Sequence, residues 1–83
     1  MQSAMTIRWN HEDVIFDSLY EADVWADSIG NEIYAGLYDG YDTKDYKIAY
    51  SLAFRLAEME GFRVLAETTV GEEVRYKVWV ISS

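Results

Sequence analysis

Hydrophobic and polar positions separate most clearly in the segment Asp42–Phe62, DTKDYKIAYSLAFRLAEMEGF. At 100° per residue, Lys44, Lys47, Ser51, Arg55 and Glu58 fall in one narrow polar stripe. Ile48, Leu52, Leu56 and Met59 form an apolar ridge, continued by Ala49 and Ala53, and Tyr46, Tyr50 and Phe54 carry it further round. The apolar arc is roughly 240° wide, against the ~100° stripe of an ordinary surface helix, so this helix needs cover on more than one side. Asp42 or Thr43 suits the N-cap and Asp45 the first turn, where carboxylates favour the positive end of the helix dipole. Gly61 suits the C′ position and Phe62 the C″ position. The pattern predicts a helix over 43–60.

After Gly61 the period changes from 3.6 to 2. Phe62, Val64, Ala66, Thr68 and Val70 alternate with Arg63, Leu65, Glu67 and Thr69; beyond Gly71-Glu72-Glu73, Val74, Tyr76, Val78 and Val80 alternate with Arg75, Lys77, Trp79 and Ile81. This predicts a hairpin of strands 62–70 and 74–82. A three-residue loop at 71–73 sets Val70 opposite Val74, Thr68 opposite Tyr76, Ala66 opposite Val78 and Val64 opposite Val80. The other face then pairs Thr69 with Arg75, Glu67 with Lys77, Leu65 with Trp79 and Arg63 with Ile81. A two-residue loop would mix the faces, and register is strongly specified where one face is buried. Leu65, Trp79 and Ile81 leave an apolar patch on the outer face, to be covered by another element or by a partner.

Upstream, Ser18-Leu19-Tyr20-Glu21 is a capping box. The helix it opens is expected over about 18–29, with Gly30 as its stop. Leu19, Ala22, Trp25, Ala26 and Ile29 lie on one side; Glu21, Asp23, Asp27 and Ser28, with Tyr20 and Val24, lie on the other. Thr6–Trp9 reads as a short strand and Asn10–Asp13 as a polar turn. Val14-Ile15-Phe16 either pairs back as a second strand or leads into the helix. Asn31–Tyr41 allows a strand or a short helix, and reads as an ordered irregular or helical connection ending in the Asp39-Gly40 turn. Met1–Ala4 reads as a leader or vector-derived segment outside the fold. The expectation is one compact α+β domain over 1–83. Its small antiparallel sheet, a short N-terminal strand or hairpin plus the C-terminal hairpin, packs on the two helices.

Composition adds limits. The 83 residues hold 51% hydrophobic and 16% aromatic side chains, enough for a core and unlike a disordered chain. With no Cys, disulfides, thiolate metal sites and cysteine nucleophiles are excluded, and an unstapled small domain fits a cytoplasmic setting. No apolar run approaches the ~20 residues of a membrane span, and the N-terminus lacks the regions of a signal peptide. The formal charge of −8 is unevenly spread. Residues 10–45 hold ten acids and one base, Lys44, for a net −9; residues 46–83 hold five of each, and Arg8 supplies the remaining +1.

Candidate chemistry is sparse. His11 is the only histidine; Glu12 and Asp13 beside it make an acid–base pair conceivable, but a solvated surface His is the simpler reading. Ser18 serves better as a cap than as a nucleophile, and no triad assembles around it. Asp39, Asp42 and Asp45 recur every three residues, yet the EF-hand ligand pattern is absent and turn and cap roles suit them better. No phosphate-binding glycine loop is present. The expectation is no enzyme, no metal and no cofactor.

Direct nucleic-acid binding is disfavoured, because the bases are scattered among acids. The reverse is more attractive. Asp17 and Glu21, and Asp23 and Asp27, stand four apart, so each pair lies ~5–6 Å apart at Cβ on a helix and repels. Asp13, Glu32, Asp39, Asp42 and Asp45 extend the array, and Tyr20, Tyr34, Tyr38 and Tyr41 offer aromatic anchors. The same acids also suit a plain solvated face. In size, acid balance and lack of catalytic groups the chain is similar in general character to small phage-encoded inhibitors such as anti-CRISPR, anti-restriction and polymerase-inhibiting proteins. That likeness is of type, not of motif. It implies a non-enzymatic inhibitor that occupies the basic surface of a nucleic-acid-handling protein in a bacterial host cytoplasm. The alternative is a structural or adaptor domain forming a homodimer through surplus apolar surface on helix 43–60 or at the Leu65/Trp79/Ile81 patch.

Overall fold

The computed structural model describes residues 7–82, so Met1–Ala4 and the Thr6 end of the expected first strand lie outside the described residues. The elements run β1 (Trp9–Glu12), α1 (Leu19–Tyr34), β2 (Gly40–Thr43), α2 (Tyr46–Ala57), β3 (Phe62–Val70) and β4 (Val74–Ser82). They form an α+β domain with a four-stranded sheet in the order β1-β2-β4-β3. The sheet is mixed rather than wholly antiparallel. β1 runs parallel to β2, whereas β2–β4 and β3–β4 are antiparallel. Parallel neighbours need a crossover, and α1 is that crossover.

The hairpin adopts the expected register at every one of the eight predicted pairs, from Val70 opposite Val74 to Arg63 opposite Ile81. Alternation fixes it: Val78 and Val80 are buried on the helix side, and a slip of one residue would expose them. α2 lies over β2, β4 and β3, and α1 packs against α2. The core between these layers joins Ala22, Ala26, Ile29 and Ile33 of α1, Ile48, Ala49, Leu52 and Leu56 of α2, and Tyr41, Val78 and Val80 of the sheet.

Several boundaries differ from the sequence reading. The first strand sits later, at Trp9–Glu12, so Asn10 to Glu12 form strand and not turn. Parallel pairing with Gly40–Thr43 supplies partners that the local sequence does not reveal. Val14–Phe16 belongs to neither strand nor helix, and Phe16 packs against the core. α1 does start at the Ser18 cap, whose Oγ accepts the Glu21 N–H at 3.2 Å. It then runs through Gly30 to Tyr34 instead of stopping at 29. Gly30 is buried where α2 crosses: a Cβ there would meet Arg55 Cγ at 3.1 Å. Close helix approach thus explains a glycine that resembled a terminator. The segment 31–41 is the last turn of α1, a turn with Gly36 at φ +85°, and the start of a strand. α2 is shorter than 43–60: Asp42 and Thr43 belong to β2, and Asp45 is the N-cap. The helix ends at Ala57, and Gly61, at φ +92°, turns the chain into β3 rather than sitting at C′.

Candidate protein-interaction surfaces

The acidic half of the chain does not form one solvated array. Asp42 and Asp45 are 5% and 2% exposed, and Tyr41 is fully buried, so these three cannot line a partner surface. Asp42 accepts from Arg75 Nε at 2.9 Å, and His11 Nδ1 lies 3.0 Å from its other oxygen. His11 is therefore exposed but not partnerless. Its neighbour is a residue of the adjoining strand, not Glu12 or Asp13. Arg75 Nη1 also donates to Asp13 at 2.9 Å. Those hydrogen bonds, Asp42 first, raise the Arg75 pKa, and the Arg75 hydrogen bond holds the Asp13 carboxyl below its ordinary range. Asp39 is taken by Arg8, whose Nη2 and Nε donate at 2.8 and 3.1 Å and whose backbone N–H adds a third bond. The Arg8 side-chain bond lowers the Asp39 pKa.

The like-charge pair Asp23 and Asp27 has a structural reason. Arg55 of α2 reaches across to both carboxylates, each at 3.3 Å, so the pair clamps the two helices together. Glu32 accepts the Tyr38 hydroxyl at 2.6 Å, and burial, then that bond, raises the Tyr38 pKa. Tyr41 lies in the core, where its hydroxyl accepts Trp25 Nε1–H at 3.0 Å; burial pushes its pKa up to about 12. Tyr20 and Tyr34 are exposed, Tyr34 lying edge-on to Phe62. Among the described residues, Asp17 and Glu21 make no ion pair within 4.0 Å, though Asp17 lies near enough to Lys47 to help raise its pKa. They sit at the start of α1 beside a groove lined by Phe16, Tyr20, Glu21, Val24, Trp25 and Ser28. Arg8, Lys47, Arg55 and Arg75, each paired to acids of 10–45, bring that segment from −9 to −9 + 4 = −5.

The aromatic flank of α2 is the larger surprise. Tyr46, Tyr50 and Phe54 are 49%, 63% and 77% exposed among the described residues, so the N-terminal half does not bury this flank. The flank borders an open groove of about 340 Å³ lined by Tyr50, Ala53, Phe54, Ala57, Val64 and Ala66. That groove runs along β3, which among the described residues pairs with β4 on one side and with no strand on the other. The edge was not legible in the sequence. Alternation gives the β3–β4 pairing, but only the insertion of β2 on the far side of β4 makes β3 an edge.

The patch of Leu65, Trp79 and Ile81 is half-covered. Trp9 of β1 lies edge-on to Trp79 at 5.6 Å between ring centroids, and Lys77 Nζ lies 5.6 Å from the Trp9 ring centroid. Gly40 runs beneath the two rings, where a Cβ would come within 2.7 Å of Trp79 Cβ.

No family model matches the sequence, and no curated protein or solved structure matches it either. No helix among the described residues is long and apolar enough to cross a membrane.

Proposed function

We propose that the chain is a non-enzymatic protein-interaction domain that self-associates through the α2 flank and the β3 edge, in a structural or adaptor role. One observation carries this reading. The exposed aromatic stripe Tyr46/Tyr50/Phe54 runs beside a nine-residue strand edge that has no partner strand among the described residues. An open edge offers a row of backbone donors and acceptors, and natural sheets shield such edges with charged side chains, Pro, bulges or shortness. β3 is nine residues long, carries no Pro, pairs with β4 without a break, and its two charges, Arg63 and Glu67, are of opposite sign. The flank adds apolar area worth ~25 cal/mol per Å² once removed from water. Light scattering over rising concentration tests the reading. The expected mass is twice 9.6 kDa, and a mass fixed at 9.6 kDa up to high concentration overturns it.

A second reading is supported by the residual −5 of the acidic segment and by Asp17 and Glu21 beside Tyr20 and Val24. In it the domain is an inhibitor of the phage anti-defence type, such as an anti-CRISPR or anti-restriction protein, that blocks a basic nucleic-acid-binding surface in a bacterial cytoplasm. It predicts fast, strongly salt-dependent association. Binding to a basic nuclease at low and high salt tests it. Substitution of Asp17 and Glu21 by Asn and Gln with no loss of binding rules it out.

A further inference from the structure

We propose that the partner at the β3 edge is a second copy of this chain, added antiparallel about a two-fold axis through Leu65, so that Arg63 of each copy faces Glu67 of the other. The proposal rests on the self-association reading and specifies its geometry.

β3 alternates. Arg63, Leu65, Glu67 and Thr69 lie on the open face of the sheet, while Val64 and Ala66 line the groove beneath α2. Two identical strands paired about an axis perpendicular to the sheet keep residues of one face opposite each other. The axis must then pass through a residue. Centred on Val64, it would set Arg63 against Leu65 and Glu67 against Gly61. Centred on Ala66, it would set Glu67 against Leu65 and Arg63 against Thr69. Centred on Arg63 or Glu67, it would place like charges together, which destabilises a cross-strand pair. Only the Leu65 centre satisfies both charges, and it also sets the two Leu65 side chains against each other and Val64 against Ala66. Among the described residues neither Arg63 nor Glu67 makes a salt bridge; within the hairpin Glu67 lies opposite Lys77 and Arg63 opposite Ile81.

The helical layer leaves room for the flank. α2 lies over β3, β4 and β2, so joining the two sheets at β3 sets the two α2 helices more than two strand spacings apart, beyond ~9.6 Å. Helices in direct contact pack at ~8–10 Å, so large side chains fill the space between them. The small residues Ala53, Ala57 and Ala66 leave holes, and Tyr50 and Phe54 of the second copy are knobs at the same level. Strand pairing and charge pairing therefore point to one arrangement.

Sedimentation equilibrium of charge-swap variants tests this. Arg63→Glu and Glu67→Arg should each weaken the dimer about tenfold or more, because each sets two like pairs in contact; the double variant should return to near the wild-type constant. Leu65→Cys supplies an independent check, since the chain has no other cysteine. Oxidation should cross-link Leu65→Cys into a covalent dimer and leave Thr69→Cys, far from the axis, without a cross-link. A dimer broken by Phe54→Asp, yet indifferent to the swaps and not cross-linked at 65, overturns this register and leaves self-association standing. A wild-type chain that stays monomeric overturns both and leaves the edge to a different polypeptide.

Discussion

The carboxylate of Asp45 accepts the backbone N–H of Phe16 at 2.8 Å, across 29 residues of chain. Its other oxygen accepts the Lys47 N–H at 3.0 Å, capping α2, and pairs with Lys47 Nζ at 2.9 Å. One buried side chain thus ties the β1–α1 connection to the start of α2. Replacing it with Ala removes the cap and strands the Phe16 N–H, so Asp45→Ala should cost about 2–4 kcal/mol. Chemical denaturation checks this, and a loss below about 0.5 kcal/mol would mean the carboxylate is not a structural tie.

Gly40 should be intolerant for a different reason. A methyl group there meets Trp79 Cβ, which is fixed to the backbone, as well as the Trp9 ring. Gly40→Ala should destabilise by about 1–3 kcal/mol and disturb tryptophan near-ultraviolet dichroism. An unchanged spectrum would show that the two rings are not held over β2.

Acid should loosen the fold through a small set of carboxyls. For Asp45, burial raises the pKa, but the Phe16 and Lys47 hydrogen bonds outweigh it and the net shift is downward. Asp13 and Asp39 are also lowered, by Arg75 and Arg8. A carboxyl with a depressed native pKa contributes stability that is complete above its unfolded value, about 3.9, and is lost as pH falls through the native value. Melting temperature should hold from neutrality down to about pH 5 and drop steeply below about pH 4. Asp45→Asn should flatten the drop. At the alkaline end, Tyr41 is raised to about 12, so phenolate absorbance should show a late phase and stability should decline as pH rises from about 10 through 12.

Legibility in the sequence followed the range of the interaction. The β3–β4 register could be read because alternation and loop length are local and reinforce each other. The Ser18 cap was readable for the same reason. Gly30 misled because its purpose, room for Arg55, lies on another helix. β2 was invisible because Gly40–Thr43 is a strand only between β1 and β4, all four of its residues being buried there. The acids of 10–45 suggested one exposed array, yet their partners are bases distant in sequence, Arg8, Arg55 and Arg75. Their positions relative to the acids follow from topology alone. The openness of the Tyr46/Tyr50/Phe54 flank was posed by the width of the apolar arc and answered only by the placement of α1 on the opposite side of α2.

Self-association through that flank is tested most directly by sedimentation equilibrium of the wild-type chain beside Phe54→Asp. Phe54 is 77% exposed, so the substitution should leave the fold intact while placing a charge in the contact. The wild type should approach twice 9.6 kDa in the micromolar range and Phe54→Asp should remain at 9.6 kDa. A wild type that is monomeric throughout, or a dimer that Phe54→Asp leaves unchanged, contradicts the assignment of this surface.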